Sequence, residues 1–262
     1  MKIKIMNHKL PIPFYILTRY SSRITDYSLL ILAVLLIAST THNAQSLTGM
    51  AGLVSIPVAN DFMDGEVTVG VNYYYKLYNS SGGFTKAGYS YNIAINFLPE
   101  IEFGGKISRN VKEGINQGIG DRSISVRIRP IFEGEFMPAV VIGWQNIGTV
   151  WGGETAVHQH SLFIVASKNI KSITFLSNFS LHLGVGSRVI ESKSYQFQGV
   201  FGGIKIDRAV FTSNLLLSAV AEYDAKNINA GFRVKLLNMV YLSSYWLEMK
   251  YFCGGGGVSW LL

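Results

Sequence analysis

The sequence predicts an all-β fold, an antiparallel transmembrane β-barrel of about 12 strands, preceded by a signal peptide and a short N-terminal non-barrel segment. Three observations support this prediction. Apolar and polar side chains alternate with a period of two from about residue 66 onward. Charged residues make up 15% of the chain, whereas soluble domains carry about 25%. No stretch after residue 44 is long and apolar enough for a membrane-spanning helix.

Residues 1–44 are predicted to be a signal peptide. Five basic residues precede a ten-residue apolar run from Leu29 to Ala38, and polar residues 39–43 follow it. Because a helix needs about 20 residues to cross a bilayer, this run is too short to span. We expect export through the general secretory route and cleavage after Ala44. The alternative is an uncleaved anchor, since His42 does not fit the usual small-x-small cleavage site.

The predicted leader accounts for most of the basic excess of the chain. It holds five of the 23 basic residues and one of the 16 acidic residues, which leaves 18 and 15 in the remainder, a net charge of +3. The chain contains no block of Lys and Arg and no RNA-binding signature. We therefore expect no nucleic acid among its partners.

Residues 45–65 form the second predicted region. They fit no barrel strand, because the stretch from Gly49 to Gly65 contains Pro57 and the turn-forming pair Asp64-Gly65. Three interpretations are open for this region: a plug, a periplasmic arm or a folded-in loop. In each of them the barrel domain spans residues 66–262.

The barrel domain is predicted to contain twelve strands, an even number, as in bacterial single-chain barrels. In the first strand, Val67, Val69 and Val71 share one face and polar or small residues share the other. A soluble antiparallel sandwich shows the same alternation. Several of these runs, however, reach ten to fourteen residues, against a mean of five or six in globular proteins. The predicted strands are 66–76, 86–97, 100–109, 121–131, 138–147, 160–169, 174–187, 197–206, 212–224, 227–237, 240–251 and 255–262.

Some strands depart from simple alternation. The segments 138–147, 160–169 and 197–206 are apolar on both faces or interrupted by glycine. For these the barrel predicts bulges or a lumen wall covered by a plug. In the penultimate strand, Tyr241 and Tyr245 are predicted on the outer face, where an aromatic girdle meets the membrane interface.

The end of the chain holds a single cysteine and a glycine run. Cys253 has no partner for an internal disulfide and lies far from the leader, so it is not a lipoprotein anchor. We interpret it as an inert strand-end residue. The run Gly254–Gly257 lacks the Lys and Ser/Thr of a phosphate loop. It is predicted to be a turn into the last strand.

Alternation also predicts which charged residues face the lumen, because an Arg or Lys facing mid-bilayer lipid costs about 2–4 kcal/mol. A basic excess in the lumen favours anionic sugars such as uronic-acid polymers. The alternative is that the charges pair across strands and rigidify a narrow barrel. The predicted lumen set comprises eight positive and five negative residues: Lys76, Lys106, Arg127, Arg129, Arg188, Arg233, Lys235 and Lys250 against Glu66, Glu102, Glu222, Asp224 and Glu248. The candidate ligand-binding residues among them are Lys106, Arg127, Arg129, Arg188, Arg233 and Lys235.

The sequence offers little for an enzyme. Ser180 and His182 share a strand face, and Glu222 is a conceivable third member of a hydrolase triad, but nothing in the sequence places it beside them. His158 and His160 fall in a predicted loop, and no Cys or His cluster has zinc spacing. We expect no catalytic residues, no metal and no cofactor.

A series of short motifs keeps its order over about 120 residues. The first, Thr48–Ala59, is followed by Asp64-Gly65. The later ones are Tyr91-Asn92, Phe97-Leu98-Pro99, Asp121-Arg122-Ser123, Pro138-Ala139-Val140, Ile147-Gly148 and Val165-Ala166-Ser167-Lys168. This ordered series resembles the YjbH-like outer-membrane proteins that accompany exopolysaccharide and capsule export in Gram-negative bacteria. Members of that family are much longer, so the resemblance implies a short form.

The resemblance implies a Gram-negative outer-membrane barrel, non-enzymatic, that is an accessory component of exopolysaccharide or capsule secretion. The partners it implies are outer-membrane lipids, anionic polysaccharide and other exopolysaccharide-export proteins. Three alternative functions are open: a general small-solute porin, an outer-membrane lipid or glycan hydrolase, and a structural or adhesive surface protein. The family-motif residues are Gly52, Pro57, Ala59, Asp64, Gly65, Asp121, Arg122, Ser167 and Lys168.

Overall fold

The structure is a computed structural model of the chain. It describes residues 44–60, 63–79, 83–110, 122–147, 160–170, 178–187, 197–210 and 212–262. Residues 1–43 of the predicted signal peptide, together with Asp121, His158 and Arg188, lie outside the described residues. Within the described ranges, no helix has the length and hydropathy needed to cross a membrane.

Twelve antiparallel strands form one closed barrel, in which each strand pairs with the next and β1 pairs with β12. The prediction of a barrel of about 12 strands is therefore confirmed. The strands are β1 Glu66–Asn79, β2 Gly83–Phe97, β3 Ile101–Asn110, β4 Arg122–Ile131, β5 Ala139–Gln145, β6 Ser161–Ile170, β7 Asn178–Ser187, β8 Gly199–Val210, β9 Thr212–Tyr223, β10 Ile228–Leu236, β11 Val240–Leu247 and β12 Tyr251–Leu261.

The exterior of the barrel is apolar. On β1 and β2, Val69, Val71, Tyr91 and Ile93 are 41–53% exposed, whereas the residues between them on these strands are buried. The same pattern recurs around the barrel, and it gives a continuous apolar surface of a kind that soluble monomers rarely expose. This exterior is that of a transmembrane barrel, with lipid as its solvent.

The two ends of the barrel differ in their connections. We call the end that holds Gly65 and Leu262 the terminal end; there the Leu262 amide donates to the Gly65 carbonyl at 2.9 Å. We call the other the loop end, and the three longest connections belong to it. The terminal end joins β2 to β3, β4 to β5, β6 to β7, β8 to β9 and β10 to β11, and the loop end joins β1 to β2, β3 to β4, β5 to β6, β7 to β8, β9 to β10 and β11 to β12.

The predicted outward orientation of Tyr241 and Tyr245 is wrong. Both face the lumen and are 1% and 0% exposed. Both faces of β11 carry aromatic residues, so alternation alone does not decide its orientation. The phenol groups decide it, because each finds a polar partner inside: Tyr241 donates to Gln45 Oε1 at 3.4 Å, and Tyr245 accepts from Arg233 Nε at 3.1 Å.

The predicted turn at Gly254–Gly257 is also wrong, because this run lies within β12 and the turn lies at 248–250. The glycines give neighbouring side chains room. A Cβ on Gly255 would lie 2.0 Å from Asn72 Oδ1, and one on Gly257 would lie 2.5 Å from the Tyr241 hydroxyl. Cys253 is likewise inside β12, buried and facing the lumen.

Three members of the predicted lumen set lie in turns. Asp224 belongs to the connection between β9 and β10, and Glu248 and Lys250 belong to the connection between β11 and β12. Their assignment to the lumen wall followed from placing both strand ends a few residues too far along the chain.

Replacing Gly255 with Ala is expected to weaken barrel closure. The added methyl group would overlap Asn72 Oδ1 and would lie 2.6 Å from Val71 O on the opposite side of the β1–β12 seam. Overpacking of this kind lowers the free energy of unfolding by about 1–3 kcal/mol. The measurement is the urea concentration at which the folded band on an unboiled gel is half lost.

Gly254→Ala is the matched control, since a Cβ there has 3.4 Å to its nearest neighbour, Ser243 O. Equal urea midpoints for the two variants would show that the seam tolerates a methyl group at position 255, contrary to expectation.

Candidate functional site

Residues 44–60, which we call the lumen segment, lie inside the barrel. Leu47, Met50, Leu53, Val54 and Ile56 are at most 3% exposed. The segment makes hydrogen bonds to wall residues on β1, β3, β4, β6, β9, β10 and β11. Its contacts therefore extend around most of the circumference.

The lumen segment runs inward from the terminal end and returns to it. Near that end, Gln45 Nε2 donates to Thr68 O at 3.1 Å, and Ala59 N donates to Ser167 Oγ at 2.7 Å. Residues 54–56 lie near the loop end, beside Glu222. The segment is thus a folded loop whose two ends lie at the same end of the barrel.

Gly52 and Pro57 make the fold of the loop possible. They pair across it as an isolated antiparallel bridge, and Gln45 pairs with Ala51 in a second one. A Cβ on Gly52 would lie 2.3 Å from Ile56 O, so only glycine fits. Pro57 lacks an amide hydrogen and lies where a donor is not needed.

The tip of the loop is held by one carboxylate. Glu222 accepts hydrogen bonds from the backbone amides of Val54 at 2.9 Å, Ser55 at 2.8 Å and Ile56 at 3.2 Å, and from the Ser55 hydroxyl. Asn229 Nδ2 donates to the same carboxylate at 2.9 Å. Glu222 is 3% exposed, so this charge is stabilised by hydrogen bonds in place of water.

A buried ion pair holds the middle of the loop. Arg127 Nη2 lies 2.6 Å from Glu102 Oε2, and the two side chains are 0% and 1% exposed. Arg127 Nη1 also donates to Ala51 O at 3.0 Å and to Val58 O, and Glu102 accepts from Ala51 N at 3.2 Å. The pair therefore satisfies polar backbone groups on both arms of the loop.

Arg233 holds the turn that precedes the tip. Its Nη2 donates to Gly52 O at 3.2 Å and to Leu53 O at 3.0 Å. Tyr245 fixes the guanidinium from the other side, because its hydroxyl accepts from both Nε and Nη2. Two of the predicted lumen cations, Arg127 and Arg233, thus bind carbonyl oxygens of the chain itself.

One side of the lumen is apolar. Side chains of the lumen segment form a buried cluster with wall residues. Within this cluster, the centroid of the Phe197 ring lies 5.4 Å from that of Phe201 and 5.9 Å from that of Phe163. These wall residues belong to the segments that are apolar on both faces in the sequence. A lumen wall covered by residues 44–60 explains their composition. The wall members are Ala139, Val141, Phe163, Val165, Phe197 and Phe201.

The other predicted ligand-binding residues are also inside. Lys106 is 8% exposed and lies over the Tyr74 ring at 5.5 Å, and Lys235 is 7% exposed. Arg129 donates to Pro99 O at 2.5 Å and stacks on Phe132 at the terminal end. All five described candidates therefore face the lumen, and their role in ligand binding stays a prediction.

Sequence reasoning missed an ion pair on β8. Lys205 and Asp207 share the inward face of β8 with the buried Phe201, and Lys205 Nζ lies 3.5 Å from Asp207 Oδ2. Gly202-Gly203 obscured the alternation in this strand. The pair becomes visible in the sequence when every second residue of this strand is assigned to one face, which then holds Phe201, Gly203, Lys205 and Asp207.

Two of the family-motif residues that the structure describes, Ala59 and Ser167, connect the lumen segment to the wall. Ala59 is fully buried, and its amide donates to Ser167 Oγ, which lies 2.8 Å from His182 Nδ1. Gly65 has a φ of 71° and donates to Asn96 O at 3.1 Å, just before β1. The others are Asp64, exposed in the same turn; Arg122, exposed at the start of β4; and Lys168, near the end of β6.

The candidate hydrolase residues are engaged elsewhere. His182 pairs with Ser167, and Ser180 Oγ donates to Asn169 Oδ1 at 2.6 Å. The Glu222 carboxylate, considered as a third triad member, holds the tip of the lumen segment. The three residues serve the wall and its contacts with the loop.

His160 lies just before β6, outside the strands. Its Nε2 accepts from Trp144 Nε1 at 2.5 Å, and burial lowers the pKa of the imidazole below its ordinary value. A neutral ring suits this acceptor role. Among the described residues, no group of three or more His, Cys, Asp and Glu side chains is arranged to hold a metal ion.

Fold and site together define a closed, twelve-stranded transmembrane β-barrel whose lumen holds a segment of its own chain. The model of the YjbH family, described as "Exopolysaccharide biosynthesis protein YbjH", matches residues 44–233. The match covers most of the chain, from the lumen segment into β10. This protein therefore belongs to that family.

Several solved structures are similar to the chain, including the following three. The KdgM porin has a TM-score of 0.47 and 8% identity, covering 75% of this chain and 99% of its own. The KdgM porin in complex with disordered oligogalacturonate has a TM-score of 0.46 and 9% identity, with the same coverage of both chains. A bacterial polysaccharide outer membrane secretin has a TM-score of 0.33 and 10% identity, covering 79% of this chain and 100% of its own. A comparison with curated proteins gave no match.

Replacing Glu222 with Ala is expected to loosen the tip of the lumen segment. The amides of residues 54–56 would lose their shared acceptor while remaining buried. A lost partner of this kind costs about 1–3 kcal/mol, which corresponds to exchange of these amides with deuterium about 5 to 150 times faster. The measurement is hydrogen–deuterium exchange of peptides covering residues 50–60.

Asp224→Ala is the matched control for this variant. Its carboxylate accepts from Lys226 N, Asn227 N and Asn229 Nδ2, so it shares Asn229 with Glu222 but stabilises the 224–227 turn. Unchanged exchange at residues 54–56 in the Glu222 variant, or equal acceleration in both variants, would contradict the assigned role of Glu222.

Proposed function

We propose that this protein is an outer-membrane barrel that acts as an accessory component of exopolysaccharide or capsule secretion, with the lumen segment as its plug. The observation that carries the proposal is the lumen segment itself. It lies within the family match and inside the barrel, where its side chains are buried. The function is non-enzymatic and passive: the plug restricts the opening, and the lumen wall or the loops contact the glycan.

The outer membrane of a Gram-negative bacterium is the location that suits the barrel. Its exterior is apolar, and the longest connections belong to one end. Outer-membrane barrels have short periplasmic turns and longer extracellular loops. On this basis the terminal end faces the periplasm, and the predicted signal peptide would supply export through the general secretory route.

The lumen wall offers cations suited to an anionic glycan. The buried charged residues of the described part comprise five basic and four acidic side chains. Arg127 is paired with Glu102 at 2.6 Å, and Arg233 donates to the carbonyls of Gly52 and Leu53 on the lumen segment. Displacement of the plug would let Arg233 exchange these carbonyls for a sugar carboxylate, which forms stronger, charge-assisted hydrogen bonds.

A general small-solute porin would differ from the proposed protein in whether its lumen is open at rest. A porin has a water-filled lumen, whereas the lumen-facing residues here are packed against the loop. The anionic partner would therefore be admitted only when the plug moves, together with the partner proteins that the family membership implies.

Deletion of residues 45–60 behind an unchanged leader is expected to open the barrel. The full mature chain should show little steady ion conductance in a planar bilayer, because the lumen segment fills the lumen. The shortened chain should conduct continuously, provided that it still forms the heat-modifiable folded band. Equal conductance of the two chains would contradict the plug and would favour a porin.

Arg233→Gln in the shortened chain tests the glycan contact. We expect weaker binding of oligogalacturonate, used as a probe of uronic-acid polymers, because the variant loses the bidentate guanidinium–carboxylate interaction. A loss of about 1.5–3 kcal/mol for a hydrogen bond to a charged group corresponds to roughly 10- to 100-fold in affinity. The measurement is titration calorimetry of the reconstituted barrel.

Arg122→Gln, at the exposed start of β4, is the matched control because it removes the same charge outside the lumen. Equal affinity of the Arg233 variant and the control would argue against contact at Arg233. In cells, loss of the gene should lower extracellular polysaccharide, and unchanged secretion would contradict the accessory role itself. Charge reversal at Arg129, whose guanidinium donates to Pro99 O, tests the lumen-contact hypothesis at a second position, and unchanged glycan binding and export would contradict it.

A further inference from the structure

The turn between β4 and β5 exposes an unusual apolar tip. It covers residues 132–138 at the terminal end, and its side chains Phe132, Phe136 and Met137 are 48%, 86% and 58% exposed. Phe132 packs against the lumen-facing Arg129, whereas Phe136 and Met137 take no part in the plug or lumen-wall contacts described above.

The backbone of this turn is capped by one lysine. Lys168 Nζ donates to the carbonyls of Gly134, of Glu135 at 2.7 Å and of Met137 at 3.5 Å. Gly134 N donates to Met137 O at 3.0 Å, and Glu133 Oε1 lies 3.6 Å from the lysine Nζ. Three carbonyls, one amide and the Glu133 carboxylate of the turn thus have partners within the protein.

The lysine reaches the turn from the lipid-facing side of the barrel. On β6, Lys168 has the same parity as Leu162 and Ile164, which are 39% and 42% exposed on the apolar exterior. The neighbouring Asn169 holds Glu133, the ion-pair partner of Lys168. The backbone N and the Nδ2 of Asn169 each donate to a Glu133 carboxylate oxygen at 2.7 Å. The tip therefore continues the apolar exterior past the strand ends.

These contacts point to lipid as the medium around the tip. Backbone carbonyls in a turn exposed to water need no side-chain donor, because water supplies one. Carbonyls at membrane depth must be satisfied within the protein. A single ammonium group that serves three carbonyls, with its charge balanced by Glu133, meets that requirement beside the exposed Phe136 and Met137.

We propose that the 132–138 turn is an interfacial anchor that inserts Phe136 and Met137 into the lipid leaflet at the terminal end, with Lys168 as its positioning residue. The anchor is distinct from the glycan role because it uses Phe136 and Met137, although its Glu133 is held by Asn169, which also accepts from Asn60 Nδ2 of the lumen segment. It gives the family-motif residue Lys168 a task apart from the lumen. The anchor fixes the depth and tilt of the barrel in the bilayer.

The experiment places the environment-sensitive fluorophore NBD at position 136 of the full mature chain. Phe136→Cys is labelled in a Cys253→Ser background and reconstituted in phosphatidylcholine vesicles, with and without phosphatidylcholine spin-labelled near the top of its acyl chains. We expect blue-shifted emission and a loss of intensity with the spin-labelled lipid. Position 142 on the lipid-facing side of β5 is the membrane reference, and exposed Lys226 in the 224–227 turn is the water reference.

A second comparison tests the lysine. Lys168→Met should return the emission at position 136 toward that at position 226 and reduce the quenching, because the carbonyls would need water, whereas Lys168→Arg should retain both. Emission and quenching at position 136 equal to those at position 226, with Lys168 intact, would overturn the proposal and would show a tip that stands in water, as a protein-docking site would. Unchanged insertion in a folded Lys168→Met barrel would overturn the positioning role.

Discussion

The structure depends on satisfying the polar backbone of a loop that is enclosed by a barrel. Residues 54–56 have amides that face away from water, and residues 52 and 53 have carbonyls in the same situation. The wall supplies ionised partners of the matching sign: Glu222 for the amides and Arg233 for the carbonyls. Because each burial of a charge is costly unless it is hydrogen-bonded, the loop and these side chains need one another. Neither would be stable in a dry lumen alone.

Two kinds of contact hold the lumen segment. β5, β6 and β8 contribute most of the apolar wall residues, while β3, β4, β9 and β10 contribute the charged residues that bind the loop. Apolar packing tolerates small shifts, whereas hydrogen bonds specify geometry. The charged residues therefore determine where the loop lies, and the apolar cluster adds to how tightly it is held.

Much of the barrel could be predicted from the sequence because alternation is a local property. The twelve strands follow from a period of two and from their length. Orientation was predictable only where the two faces differ in polarity: Arg127 and Arg233 were placed inside, but Tyr241 and Tyr245 were placed outside because β11 carries aromatic residues on both faces. The partners of the lumen segment were beyond prediction, because the bond from Ser55 to Glu222 joins residues 167 positions apart. Only the closed barrel brings them together.

This separation along the chain has a consequence for the order of folding. The lumen segment precedes all twelve strands in the sequence, yet its partners on β9 and β10 are synthesised late, and only β11 and β12 follow them. Contacts of such long range carry a large loop-closure entropy that must be overcome before they form. The lumen segment is therefore the first part of the described chain to be made and among the last to find its place, and during assembly the nascent barrel encloses water that the docking loop must expel.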